Sequence, residues 1–142
     1  MVAGESEPVM LQLSVPLRVV ERGLIDGLVV PTGRLAGEQL LDLTLPDERI
    51  ADFLAAAVHR PGGFAARTGE APRALALIAA TAAALCGEDI RSALTSPDID
   101  FLTGLSSGAV DAVREVLLGI ESEAPAELEH ALGALVRSAT TR

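Results

Sequence analysis

From Leu11 the chain alternates. Leu11, Leu13, Val15, Leu17 and Val19 are apolar, with Gln12, Ser14, Pro16 and Arg18 between them. A period of two puts the apolar set on one face of a half-buried strand. Pro16 has no N–H to give a ladder, which places it at an edge. Glu21, Arg22 and Gly23 read as a turn. Residues 24–30 read as a second extended run stopped by Pro31, with Gly27 marking a bulge or a close approach. The pair predicts an antiparallel β-hairpin over residues 9–31, which needs a second layer to be stable.

Beyond the hairpin the period changes. Residues 32–42 are ambiguous between a short helix and irregular chain. Thr44, followed three residues later by Asp47 with Pro46 between, has the form of a capping box. Ile50, Phe53, Leu54, Ala57 and Val58 then form one apolar stripe on a helix ending near His59. Residues 61–70 hold several glycines and read as a mobile loop. A helix from Pro72 to Cys86, with Gly87 as the residue after its end, is apolar all round and has to be buried or shared with a partner. Residues 88–96 make a short helix or turn with Ile90 and Leu94 inward. Ser96, Pro97 and Asp98 mark the start of another helix. Val110, Val113, Val116, Leu117 and Ile120 continue as helix to about Gly119. A last helix runs from Pro125 to about Arg137. The expected fold class is therefore α+β: an N-terminal antiparallel β-hairpin followed by a mostly α-helical bundle. Residues 1–8 form a flexible acidic tail and residues 9–142 a single domain, with its helical part over residues 44–138.

Composition narrows the function. At 142 residues the chain can bury about two thirds of its unfolded surface. A net charge of −9, with all 11 basic residues arginines scattered along the chain, disfavours nucleic acid. The absence of Trp and Tyr removes the usual base-stacking platforms. The longest near-apolar run, residues 74–86, is too short for a membrane span, and the acidic N-terminus lacks the features of a secretory signal. One cysteine, Cys86, excludes an internal disulfide and suits a reducing compartment; the expected location is the cytoplasm.

Reactive groups are sparse. His59 and His130 are the only histidines, and no Gly-x-Ser-x-Gly element is present. Cys86 falls at a helix C-terminus, where the dipole raises a thiol pKa, so it reads as a small buried hydrophobe. Glu127 and His130 have the Glu-x-x-His spacing of carboxylate-bridged metal bundles, but the pattern occurs once, and a solvated helix face accounts for it. His59 suits a favourable place at a helix end. The glycines at 62, 63 and 69 match no phosphate-loop spacing. Asp98 with Asp100, and Glu121 with Glu123, lack the remaining ligands of a calcium loop. No enzyme activity, cofactor or metal is expected.

One resemblance emerges from the order of parts. It rests on Val15-Pro16-Leu17 and residues 24–32, then Leu85-Cys86-Gly87, then Ile90, Leu94, residues 96–100 and Leu102 before a Val/Leu helix. In these the chain resembles the Mu-like tail assembly chaperones of phages and prophages. The resemblance covers residues 10–32 and 75–118 and consists of caps and apolar positions. It implies a small, acidic, cytoplasmic, non-enzymatic chaperone that shields a tape-measure-type partner while a tail tube polymerises. Residues 33–70 are longer than the usual connection, and residues 119–142 add a helix. The expected partner is a protein, a tape-measure or tail-tube protein, with neither nucleic acid nor membrane. Leu77, Ile78, Leu85, Ile99, Leu102 and Val113 are the candidate residues for its core or binding groove. The alternatives are a self-associating structural component of a phage-derived or contractile particle, which would be a homo-oligomer, and a small regulatory binding module.

Overall fold

Sixteen residues of helix with hardly a polar side chain have to be surrounded, and the rest of the fold does this. The structure, a computed structural model, describes residues 23–140. The expected acidic tail and the first hairpin arm, residues 11–19, lie outside the described residues. In chain order the elements are β1 (Val29–Pro31), β2 (Leu40–Asp42), α1 (Asp47–Ala57), β3 (Phe64–Arg67), α2 (Ala71–Cys86), α3 (Ile90–Thr95), α4 (Ile99–Thr103), α5 (Ser107–Val116), β4 (Leu117–Ser122) and α6 (Pro125–Thr140). Among the described residues the strands form one four-stranded sheet in the order β1-β4-β3-β2, with every pairing parallel. The protein is mixed α/β.

The antiparallel hairpin is not seen. Its second arm yields only β1, which pairs parallel with β4, Val29 facing Ile120 and Pro31 facing Ser122. The front of the run is spent on a turn: the Leu28 N–H reaches the Ile25 carbonyl at 3.2 Å, and Gly27 adopts a φ of 66°. The three further strands lie in what reads as helix or loop, β2 within residues 32–42. Residues 61–70 are not a loose loop throughout, because Phe64, Ala65 and Ala66 are fully buried in β3 at the centre of the sheet. The Val/Leu helix stops at Val116, and residues 117–122 continue as β4. Gly63 allows this junction. At a φ of 68° it lies where a Cβ would meet the Glu115 and Val116 carbonyl oxygens at 2.7 and 2.8 Å.

The topology also dictates what covers each face. The steps β2→β3→β4 all run the same way across the sheet, and right-handed crossovers then put their helices on one face. The connection from β1 to β2 runs the opposite way, so the same rule sends it over the other face. That connection, residues 32–39, does lie there. Leu35 Cδ1 would be 2.7 Å from a Cβ on Gly119, and the Leu35 N–H donates to the carboxylate of Glu121, which shares a strand face with Gly119.

On the helical side α2 is the hub, touching every other helix among the described residues, and β4. Its residues 74–83 are buried on all sides, and Thr81 satisfies its hydroxyl within the helix by donating to the Leu77 carbonyl at 2.8 Å. The helix ends as its sequence predicts. Gly87 is left-handed at φ 75°, and the Glu88 N–H returns to the Ala83 carbonyl at 2.8 Å. Caps define the smaller helices: Asp89 for α3, Asp98 rather than Ser96 for α4, and Ser106 for α5. Thr44 does not cap α1. Its N–H and hydroxyl both donate to Asp42, closing the turn after β2, and Pro46 precedes the helix instead. Against α1, Phe53 meets Phe64 edge-to-face with ring centroids 5.1 Å apart.

Candidate functional site

Two places in the molecule are built with enough specificity to be weighed. The first is the C-terminal end of the sheet, where open parallel sheets usually hold ligands. Glu121, at the end of β4, is 1% exposed. It accepts from Arg67 Nη2 at 2.9 Å and from the Leu35 N–H at 2.8 Å. The Arg67 hydrogen bond, then the Leu35 and Gly33 N–H groups, hold its carboxyl below the usual glutamate range. Arg67 itself is about half exposed. Every partner of this carboxylate belongs to the chain, so the cluster fastens the 32–39 connection to the sheet rather than offering free acceptors to a ligand. Nearby, Arg73 donates to the Leu43 carbonyl and to Asp47 at 3.0 Å, tying the start of α2 to the start of α1.

The second is an apolar cleft of about 460 Å³ on the helical side. Leu75 and Ile78 from α2 form its floor, Leu102 and Val110 come from α4 and α5, and Val136 comes from α6. Leu105 lies between α4 and α5, and residues 23–25 close the side where the described chain begins. Among the described residues, the polar side chains on its lining are two hydroxyls, Thr103 and Ser107, and none is charged. Arg114 of α5, itself buried, sets the wall by donating from Nη1 to the Gly23 carbonyl at 3.0 Å. Asp26 closes the same corner by accepting from the Gly23 N–H at 2.8 Å.

The candidates expected from the sequence divide accordingly. Leu77 and Val113 are buried in the core and do not line the cleft. Ile78 and Leu102 are core residues that also face the cleft, and Ile99 is half-buried against the core. Leu85 is exposed in the last turn of α2, outside the cleft. The sequence reading missed Leu24, Ile25, Leu105, Val110 and Val136 as a shared lining. Apart from the adjacent Leu24 and Ile25, they come from different parts of the chain, and only the packed fold brings them together.

A shallower depression of about 430 Å³ lies over Ala79 and Ala83, rimmed by Glu88, Asp89, Asp98 and the exposed Phe101. Two of its acids already serve as helix caps, and hydrogen bonds from Ser92 hold the Asp89 carboxyl below its usual range. Cys86, expected as a buried hydrophobe, is a free and exposed thiol in the last turn of α2, where Leu85 is exposed as well. Glu127, His130 and His59 are exposed. Among the described residues no three His, Cys, Asp or Glu side chains are grouped to hold a metal ion, and no helix is long and apolar enough to cross a membrane.

The architecture thus defines a mixed α/β protein with a loop-covered parallel sheet and an apolar interhelical cleft. No family model, curated protein or solved structure matches the chain.

Proposed function

We propose that this protein is a non-enzymatic binding module that shelters an apolar segment of a protein partner in the cleft between α2, α4, α5 and α6. The observation that carries the reading is the lining itself. An open cleft in which, among the described residues, hydroxyls are the only polar side chains suits side chains that need removal from water, and offers little to a charged or hydrogen-bonding metabolite. The partner we propose is a long helical protein of the tape-measure type, and the setting is assembly of a phage or phage-derived tail in the cytoplasm. That part rests on the order of caps and apolar positions over residues 10–32 and 75–118 of the sequence. An amphipathic helix set into a groove through residues one turn apart is the matching recognition mode.

The experiment is a titration of the full chain with a Leu- and Ala-rich amphipathic peptide of tape-measure type, followed through the methyl resonances of Ile78, Leu102 and Val110. Saturable shifts are expected, with a Kd on the order of 10 µM, equivalent to about −7 kcal/mol. Leu105→Arg, which puts a charge on a half-buried wall position, should weaken binding by ~10-fold or more. Absence of shifts, or equal binding by the variant, overturns the reading.

A further inference from the structure

We propose that the depression over Ala79 and Ala83 is a second docking site, which takes an arginine-bearing segment of a partner protein. It does not depend on the reading of the cleft. The two share no lining residue, and α4 stands between them, with Leu102 lining the cleft and Phe101 the depression. The depression has an apolar floor, an aromatic wall and an acidic rim. Ala79 and Ala83, one turn apart on α2, make the floor with Ala93 of α3, and their short side chains leave a space of about 430 Å³. Phe101 stands at its side with 37% of its surface exposed. Glu88, Asp89 and Asp98 supply three carboxylates to the same lining. Capping fixes two of them in place. Asp89 accepts the Arg91 and Ser92 N–H groups and the Ser92 hydroxyl, whereas Asp98 accepts the Phe101 N–H at 3.1 Å through Oδ1. Arg91 lines a neighbouring hollow with Thr95 instead, so among the described residues the rim is net negative.

Charge complementarity selects the occupant. Carboxylates around an aromatic ring and alanine methyls call for a group that is cationic and apolar at once. A guanidinium meets this best, because it is weakly hydrated, stacks on an aromatic face and pairs with carboxylates through parallel hydrogen bonds. The phosphates of nucleic acids and of anionic lipids are repelled by the same rim. A small hydrophilic cation would leave Phe101 and the alanines in water. A second copy of the chain brings its own net charge of −9 against the rim. An arginine carried on a protein segment, with an apolar neighbour one turn away to cover the floor, satisfies both halves of the site.

The test titrates the full chain with a helical peptide bearing arginine and leucine one turn apart, followed through the Ala79, Ala83 and Ala93 methyl resonances. Saturable shifts are expected. The same peptide with citrulline in place of arginine should bind about tenfold more weakly or worse. A variant with Glu88→Gln, Asp89→Asn and Asp98→Asn removes the rim charge and keeps both caps, since asparagine caps as well as aspartate. It should also weaken binding by about tenfold. A control with the exposed Glu123→Gln, Glu127→Gln and Glu129→Gln makes the same change in net charge and should cost about twofold at most. Equal weakening in the two variants overturns the proposal, because general acidity would then be the cause. So does a citrulline peptide that binds as well as the arginine one, the absence of shifts at the three alanines, or shifts that grow with protein concentration alone, which would make the occupant a second copy. Shifts of Ile78 and Val110 report the cleft and bear only on that reading.

Discussion

The two faces of the sheet are covered by different means. On one, α2 and its neighbours bury a continuous apolar core in which Leu77, Ile78 and Ile120 are fully enclosed. On the other, eight residues of connection, 32–39, lie on Gly119 and are held by one carboxylate, Glu121. The first cover has many interchangeable contacts and little directionality. The second has few contacts, each with a required geometry. The core side should therefore respond to lost volume, and the connection side to lost space or lost charge.

The largest effect belongs to the helical cover. Leu77→Ala removes a fully buried side chain at the centre of α2 and should lower unfolding free energy by about 2–5 kcal/mol, the upper end if the surrounding helices cannot close the void. Denaturant unfolding measures this as a lower midpoint at unchanged slope. A loss below about 1 kcal/mol would mean that α2 is packed far more loosely than its enclosure implies. A smaller effect is expected at the other face. Gly119→Val places a side chain where even a Cβ would be 2.7 Å from Leu35 Cδ1 and 3.2 Å from the Leu28 carbonyl. The leucine tip can turn away but the carbonyl cannot, since it accepts the Ile120 N–H at 2.8 Å. Overpacking of this kind costs about 1–3 kcal/mol. Hydrogen exchange should show it as faster exchange at the Leu35 N–H, with the α2 amides little changed.

The same contrast explains how far the sequence could be read. The helical cover was legible because its signals are local. Pro72 and Gly87 bracket α2, and Ile50, Phe53, Leu54 and Ala57 fix the inner face of α1. Of the sheet only β1 was legible, at the end of the extended run stopped by Pro31. β2 has three residues and β3 four, Phe-Ala-Ala-Arg, with neither alternation nor β-branching. Such strands are specified by burial between neighbours, a property of the assembled fold. β4 was hidden for a different reason. Leu117 and Ile120 continue the helical spacing of Val110, Val113 and Val116, so one periodicity runs across a junction that Gly63 makes possible from a distant part of the chain. Glu121 likewise looked like one of two loop acids before Pro125. Its partners, Arg67 and Leu35, are 54 and 86 residues away.

The finest probe of the comparison is charge. Glu121→Gln keeps the shape of the side chain but replaces one acceptor oxygen with a donor, so at least one of the Arg67, Leu35 and Gly33 donors loses its partner. The neutral-pH penalty is expected to be the smallest of the three, because half-exposed Arg67 can turn to water. The pH dependence is the sharper readout. The carboxyl of Glu121 is held below its ordinary value of 4.5 in the folded chain. Its stabilising contribution is therefore complete above that value and is lost as pH falls through the lower folded pKa. Asp42 and Asp89 are depressed as well, so the native protein weakens in acid for more than one reason. The difference between native protein and Glu121→Gln isolates the connection's share. Their melting temperatures should differ at pH 7 and converge as the pH drops below about 4, with the native protein falling toward the variant. Parallel curves that keep a constant gap down to pH 3 would show that the connection is held by shape alone, and the two covers of the sheet would then work by the same means.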